Sequence, residues 1–378
     1  MALNYLYFDN AATTAVDPLV VEAMLPYLSE QYGNASATHG PGRMARLAVE
    51  TARKKIASIL HCKPVQIVFT SGGTESANLV IRSMASCPRI SHLITSRTEH
   101  LCVLQTASIV HESGIVSLDY VALNNDGTVN LMDLNHLLET APTGTLVCLM
   151  HANNEMGAPL NMSLVTEICR RHGAMLFSDS VQTVGHYPFD LSQSSVDFIS
   201  ASAHKFHGPK GVGFLYVKDP SVLRAVTTGG GHESGLRAGT ENVAGIVGMA
   251  KALELASKRY DADSKHVRLL KSAVREKVLS LGAVVNGCDD DAALYTVLSV
   301  GFPKNNITEN LLLELDMAGV AASGGSACSA GKSGSHVMEA IGAAERINIR
   351  FSFSRNNTLE EVKKLGNILE DILVKIPA

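Results

Sequence analysis

The chain has 378 residues, of which 46% are hydrophobic and 18% charged, and its formal net charge is −4. This length predicts one large and one small globular domain, and the slight acidic excess argues against a dedicated nucleic-acid binder or a basic membrane-surface protein. No apolar run approaches the roughly 20 residues of a membrane span, the N-terminus lacks a signal-peptide pattern, and the seven cysteines show no CxxC spacing, so we expect a cytoplasmic protein without a disulfide scaffold or a structural zinc site.

Short apolar runs alternate with helical patterns through the first two thirds of the chain. Runs that are apolar on both faces are typical of strands in a parallel sheet covered by helices. One of the intervening helices is predicted over residues 165–172, with Gly173 as its C-cap. The predicted strands are residues 66–70, 92–95, 145–150, 174–177 and 213–217.

The pattern changes near Ser257, where a charged helical stretch begins. Residues 346–355 alternate strictly between apolar and polar side chains, which predicts a half-exposed antiparallel strand. Helical spacing over residues 359–373 then closes the chain. We therefore predict a large α/β domain over residues 15–256 and a smaller α+β domain formed by residues 1–14 and 257–378, although the N-terminal segment could join either one.

Ligands in open α/β sheets bind at the carboxyl ends of the strands, so the residues after each run are the candidates for a site. The first run is followed by residues 71–76, SGGTES, and then by a helical pattern. A Gly-rich turn at a helix start offers backbone N–H groups to a phosphate, which makes Gly73 and Thr74 candidate ligands. The turn lacks the Gly-Lys-Ser/Thr of a Walker A loop, and an ordinary turn capped by Thr74 explains it equally simply.

Polar residues follow the next three runs in the same way. His100 could face a cleft, or it could be an ordinary surface or core histidine. The paired amides that include Asn154 could fix a ring or a carboxylate, or bond their own loop. Asp179, close to Gln182, lies at the end of a buried run, where a carboxylate needs a partner such as a protonated ring nitrogen; a helix N-cap is the alternative.

Residues 202–211, SAHKFHGPKG, supply a lysine between bulky groups and a Gly-Pro turn. A lysine shielded from water loses its proton more easily and becomes a nucleophilic amine, whereas a solvated lysine would have no such role. A metal site at His204 and His207 is rejected because no third ligand has a convincing spacing. Taken together, a phosphate-binding turn, an aspartate for a cation, Lys205 for an aldehyde and a histidine match the needs of pyridoxal phosphate.

One cysteine, Cys328, lies in a run of Gly, Ser and Ala. A thiol on such a flexible segment, which we place at about residues 321–336, could visit a cofactor and leave again. The alternative is a Gly-rich connection that happens to contain a cysteine.

Motifs along nearly the whole chain resemble those of the cysteine desulfurases of the NifS/IscS type, within the class V aminotransferase group. They are TSGGTES, TEH, NNE, SAHKFHGPKG, GGGHESGLRAGTEN and GSACSAG, in the family's order. The resemblance implies the pyridoxal phosphate-dependent transferase fold of type I, with a mainly parallel seven-stranded sheet between helices, and a homodimer with its sites at the dimer interface.

The resemblance also implies roles for the candidate residues. Lys205 would bind the cofactor aldehyde as a Schiff base, Asp179 would pair with the pyridine nitrogen, and His100 would stack on the ring and shuttle protons. The substrate carboxylate would be bound by Arg355 and by Asn34. The remaining cofactor contacts would be Gln182 to the ring hydroxyl, Asn154, and Gly73, Thr74, Ser202 and His204 to the phosphate, with Thr240 reaching in from the other subunit.

The reaction that the resemblance implies is removal of sulfur from L-cysteine, giving L-alanine and a persulfide on Cys328. An acceptor protein for iron–sulfur cluster assembly or tRNA thiolation would then take the sulfur. A selenocysteine lyase, another class V enzyme that uses pyridoxal phosphate, and a non-catalytic scaffold with this fold are the alternatives.

Overall fold

A seven-stranded sheet forms the centre of the larger part of the molecule. The computed structural model describes residues 5–87, 90–289, 291–324 and 334–374, so Cys328 lies outside the described residues. The strands of this sheet are β2 (Ile67–Thr70), β3 (His92–Ser96), β4 (Ser117–Val121), β5 (Thr145–Cys148), β6 (Met175–Asp179), β7 (Phe198–Ser202) and β8 (Gly213–Val217), in the order β2-β8-β7-β6-β5-β3-β4.

The five predicted runs are all strands of this sheet, but β8 runs against its neighbours. It pairs antiparallel with both β2 and β7, whereas the other pairs are parallel. Residues 203–212, between β7 and β8, contain no crossover helix, and a parallel neighbour requires one. Strands β4 and β7 were not among the predicted runs.

Helices cover both faces of the sheet. They are α1 (Pro18–Ser29), α2 (Gly40–Ile59), α3 (Gly73–Ala85), α4 (Leu101–Glu112), α5 (Leu131–Thr140), α6 (Met162–Arg171) and α7 (Val243–Ser280). Alternate residues of each strand enter two separate apolar cores, one with α2, α6 and α7 and the other with α3 and α4. The helix predicted over 165–172 is α6, and Gly173 follows it with φ of 65°, the left-handed conformation expected of a C-cap glycine.

A third core belongs to the C-terminal part of the chain. Its antiparallel sheet has the order β12-β10-β9, and a short parallel pair joins β1 to β11. These elements are β1 (Leu6–Tyr7), β9 (Val284–Val285), β10 (Val297–Phe302), β11 (Val320–Ala321) and β12 (Ile347–Ser352), with helices α8 (Leu311–Met317), α9 (His336–Ala340) and α10 (Leu359–Val374). Phe8 packs in this core with residues of the C-terminal part.

The predicted boundary at residues 256/257 falls within a continuous helix. Ala256 of α7 packs in the core of the large sheet, whereas Val267 of the same helix packs in the C-terminal core. A single helix therefore joins the two cores. Within the described residues, no helix combines the length and apolar character needed to cross a bilayer.

The strand predicted over residues 346–355 is β12, antiparallel to β10 as expected. The prediction that it is half-exposed is wrong, because its polar face is buried too: Arg350 is 3% exposed and Ser352 is 0% exposed. The N-terminal segment covers this face, and the Ala11 amide donates to Ser352 Oγ at 2.8 Å.

Candidate active site

A cavity of about 500 Å³ opens at the carboxyl ends of the parallel strands. It lies between the turns that follow β2, β3, β5, β6 and β7, which is where an open α/β sheet binds its ligands. Nine of the predicted site residues line it: Gly73, Thr74, His100, Asn154, Asp179, Gln182, Ser202, His204 and Lys205.

The turn between β2 and α3 forms one end of the cavity. Gly72 has φ of 150°, and a Cβ on Gly73 would lie 2.6 Å from Val181 Cγ2, so these positions suit glycine. The helix begins at Gly73, and the N–H groups of a first helical turn have no partner within the helix. Ser202 and His204 line the same cavity. This end has the donors that a phosphate group requires.

His204, which lines the same cavity, is held in its neutral form. Burial, and then the charges of Lys205 and Lys210, lower the pKa of His204 to about 4. Its Nδ1 lies 3.2 Å from Thr13 Oγ1 in the N-terminal segment. The ring is therefore held in place while it remains uncharged at neutral pH.

Asp179 is fixed at the end of β6. Its Oδ1 accepts hydrogen bonds from Ser200 Oγ at 2.9 Å and from the Val181 amide at 3.0 Å, and the residue is 7% exposed. The N-cap interpretation accounts for the bond to Val181, yet no described helix begins there. A carboxylate held rigidly in a cavity wall can instead pair with a protonated ring nitrogen.

Lys205 projects into the cavity beneath the N-terminal segment. Its Nζ donates to the carbonyl oxygens of Ala11 at 2.6 Å and Ala12 at 2.9 Å. Gln182 Nε2 also donates to Ala11, at 3.1 Å. Both Ala11 and Ala12 line the cavity. Neither was predicted as a site residue.

His100 caps helix α4, and its ring faces the cavity. Nδ1 accepts from the Cys102 amide at 3.2 Å, so in the neutral ring the proton is on Nε2. Burial, with the nearby charges of Lys205 and His336, lowers the pKa of His100, although Asp179 and Glu155 act in the opposite direction. The neutral ring can stack on an aromatic ligand and exchange a proton at Nε2.

The structure does not bring Arg355, the residue predicted to bind the substrate carboxylate, into the lining of the cavity. Arg355 is outside the cavity, where its Nη2 lies 2.6 Å from Asp17 and its Nη1 lies 3.6 Å from Asp263. Two carboxylates therefore already neutralise this guanidinium.

Among the residues that the structure describes, Arg350 is the arginine that lines the cavity. Its Nη2 donates to Asp9 Oδ1 at 2.7 Å and its Nη1 to the Asn154 carbonyl at 2.9 Å, whereas its buried Nε has no hydrogen-bond partner among the described residues. The alternating pattern over residues 346–355 places Arg350 on the polar face of β12, and the sequence predicts that this face is exposed to solvent.

The roles of three further residues stay predictions. Asn34 is exposed, does not line this cavity, and accepts from the Ser36 amide at 2.9 Å, so its contact with the substrate stays a prediction. Thr240 is exposed and outside the cavity of its own chain, so its contact in a partner subunit stays a prediction. Cys328 lies outside the described residues, and its role likewise stays a prediction.

The cavity fits pyridoxal phosphate on the evidence of its own atoms. A phosphate-binding turn, a fixed carboxylate and a lysine amine line one space, together with a buried Arg350 Nε that lacks a partner. These are the contacts that the cofactor and an amino-acid carboxylate need. No group of three or more potential metal-ligating side chains occurs in the part of the chain that the structure describes.

Fold and cavity together define an α/β enzyme with a pyridoxal phosphate site. The chain belongs to the class-V aminotransferase family, which it matches over residues 6–365. It is 38% identical to cysteine desulfurase IscS of Dictyoglomus turgidum, over 98% of this chain and 95% of that protein, and 40% identical to cysteine desulfurase IscS of Anaeromyxobacter sp., over 94% and 89%.

Solved structures agree with this assignment. A NifS-like protein superposes with a TM-score of 0.91 at 37% identity, covering 98% of this chain and 100% of the other. The structure of SspA in complex with cysteine gives a TM-score of 0.81 at 32% identity, covering 93% and 99%. These comparisons confirm the predicted family, the type I fold, the pyridoxal phosphate cofactor and the similarity to cysteine desulfurases.

Proposed function

We propose that the protein is a cysteine desulfurase, which removes sulfur from L-cysteine, releases L-alanine and passes the sulfur on from Cys328. The observation that carries this proposal is the joint presence, in one cavity, of Lys205, Asp179, the phosphate-binding turn and Arg350. We call residues 324–334, which contain Cys328, the Cys328 segment. The described residues on either side of it also contact the cavity wall, since Ser323 pairs with Arg350 and Ser335 with Glu155. The complex of the similar SspA with cysteine supports cysteine as the substrate.

Each residue has a defined task in this reaction. Bound pyridoxal phosphate supplies an aldehyde for the substrate amine and a ring that takes up the electron pair left when the α-proton departs. Asp179 keeps the ring nitrogen protonated, and Arg350 binds the substrate carboxylate through its Nε. Lys205 Nζ accepts the α-proton, and His100 Nε2 can exchange a proton with the reacting substrate.

Sulfur transfer requires a nucleophile, and Cys328 is our assignment. Its thiolate attacks the substrate sulfur, so that a sulfur–sulfur bond forms as the carbon–sulfur bond breaks. The electron pair of the broken bond stays with the β-carbon, which takes up a proton. The α-carbon regains the proton that Lys205 accepted, and the product leaves as L-alanine. The outer sulfur of the persulfide is then available to an acceptor.

We further propose that two copies of the chain form the active enzyme. Helices α1 and α2 and the link between them expose large apolar side chains, a pattern that marks an interaction surface. They are Leu25 (55% exposed), Leu28 (63%), Tyr32 (79%), Met44 (53%) and Leu47 (59%). In the dimer that the family resemblance implies, Thr240 would contact the cofactor of the other subunit.

The sulfur acceptor that we propose is a protein of iron–sulfur cluster assembly or of tRNA thiolation. The relatives named IscS support a role of this kind. We place the reaction in the cytoplasm, because its reducing conditions keep thiols free and five of the described cysteines, Cys62, Cys87, Cys102, Cys148 and Cys169, carry free thiols.

The test is to incubate the purified protein with pyridoxal phosphate, L-cysteine and a reducing thiol and to count the alanine and sulfide formed per site. We expect many equivalents of both from the natural sequence and none from the Lys205→Ala variant. A natural enzyme that forms alanine from L-selenocysteine only would instead be a selenocysteine lyase. A protein that shows no visible absorption band with the cofactor and converts neither amino acid would be a non-catalytic scaffold.

A further inference from the structure

Two hydrogen bonds attach the residues directly after the Cys328 segment to the wall of the cavity. Ser335 Oγ donates to Glu155 Oε2, and His336 Nε2 donates to the Glu99 carbonyl at 2.9 Å. Glu155 and His336 line the cavity. Glu155 follows Asn154 and Glu99 precedes His100, so each contact is made next to a residue that faces the cofactor space.

The attachment at Ser335 is buried and made through several bonds. Ser335 is 5% exposed and Glu155 is 2% exposed. The same Ser335 hydroxyl accepts from the Val337 and Met338 amides at 3.1 and 3.3 Å, so it caps helix α9 while it donates to Glu155. A buried bond of this kind fixes both partners, because breaking it leaves a carboxylate without compensation.

The turn that contains Glu155 is also held by several contacts. The Asn153 side chain accepts from the Glu155 amide at 2.8 Å and from the Met156 amide at 3.0 Å, which holds this turn. Met156 then packs in a small apolar cluster with Val337 and Met338 of α9. The start of α9 is therefore held to residues 153–156 by polar and apolar contacts together.

The residue before the Cys328 segment is attached to the same part of the cavity. Ser323 and Arg350 exchange backbone hydrogen bonds, with Arg350 N donating at 2.7 Å and Ser323 N at 3.2 Å. Arg350 in turn donates to the Asn154 carbonyl. The two flanks of the segment thus converge on Asn154 and Glu155.

We propose that Glu155 is a positioning residue for sulfur transfer: through Ser335 it fixes the downstream flank of the Cys328 segment beside the cavity. This inference rests on the proposed function. Displacing a reacting group by about 1 Å costs on the order of 100-fold in rate, so a loosened flank should slow the attack on sulfur. Proton removal by Lys205 uses no residue of the flank and should not change.

The experiment compares two reactions of the same holoenzyme. The first is exchange of the α-proton of L-alanine in deuterated water, which needs Lys205 and the cofactor but no thiol. The second is alanine formation from L-cysteine. For Ser335→Ala we expect kcat of the second reaction to fall about tenfold or more, while exchange stays within about twofold of the natural rate. Ser335→Thr, which keeps the hydroxyl, should retain most of the natural kcat for alanine formation.

Two further variants separate positioning from lost stability. Asn161→Ala removes a comparable N-cap from α6, where Asn161 Oδ1 accepts from the Leu164 amide at 3.1 Å, and it should leave the ratio of the two rates unchanged. Glu155→Ala, which removes the acceptor, should lower desulfuration like Ser335→Ala, and the double variant should be no slower than the slower single one, because both changes act on one bond.

Equal loss of exchange and desulfuration in Ser335→Ala would overturn the proposal, and so would a natural rate of desulfuration in Glu155→Ala. If the natural enzyme exchanges the α-proton of alanine but forms no alanine from L-cysteine, the proposed function itself fails and this inference fails with it.

Discussion

Replacing Arg350 by glutamine removes the guanidinium that we assign to the substrate carboxylate. In the structure, Nη1 and Nη2 already donate to the Asn154 carbonyl and to Asp9. The substrate carboxylate would therefore interact chiefly with the positive charge of Arg350 and with its buried Nε donor. A hydrogen bond to a charged group contributes about 1.5–3 kcal/mol. With a tenfold change for each 1.4 kcal/mol, we expect kcat/KM for L-cysteine to fall by about 10- to 140-fold.

The matched control is Arg355→Gln, because Arg355 was the arginine that the sequence indicated. Its ion pairs with Asp17 and Asp263 lie outside the cavity, so this change should lower the melting temperature and leave kcat/KM within about threefold. Alanine formation is measured over a range of L-cysteine concentrations, on protein whose cofactor absorbance shows a loaded site. If the Arg355 variant loses kcat/KM and the Arg350 variant keeps it, the assignment is refuted.

Two other predictions concern the cavity wall and the buried histidines. Asp179→Asn should slow alanine formation at least about 100-fold without loss of fold, because a neutral amide cannot pair with a protonated ring nitrogen; steady-state rates and circular dichroism check this, and a natural rate would contradict it. Burial lowers the pKa of His186 and of His207 from 6.5 to about 4. The unfolded chain therefore binds protons below pH 6.5 that the folded chain does not, and the free energy of unfolding should fall as the pH drops from 6.5 to 4, by up to about 1.4 kcal/mol per pH unit for each histidine. Urea unfolding at several pH values measures this slope, which should become shallower in His186→Asn; an unchanged slope would show that His186 does not contribute.

The sheet and most of the cavity could be predicted because local patterns determine them. Buried strands that are apolar on both faces are recognisable in the sequence, and the residues after their carboxyl ends meet at one edge of the sheet. Asp179, Lys205 and the glycine turn could therefore be assigned to one site before any coordinates were known. The direction of β8 could not be predicted from its apolar pattern, since that pattern is the same in either orientation.

The residues that were missed depend on contacts between distant parts of the chain. Arg350 lies on the polar face of β12, and alternation alone cannot show that Asp9 and the N-terminal segment cover that face. Arg355 is on the same strand segment and has the same charge, but Asp17 and Asp263 hold it elsewhere. The attachment of Ser335 to Glu155 joins residues 180 positions apart, and no local pattern indicates it.

The central claim is that sulfur passes from L-cysteine to Cys328. The most direct measurement mixes loaded enzyme with one equivalent of L-cysteine per site, without reducing thiol, and then determines the alanine released and the mass of the peptide that contains Cys328. We expect about one alanine per site and the mass of one added sulfur atom on that peptide, with neither product in Cys328→Ser. Stoichiometric alanine from the Cys328→Ser variant, or added sulfur on a different cysteine of the natural enzyme, would contradict the account.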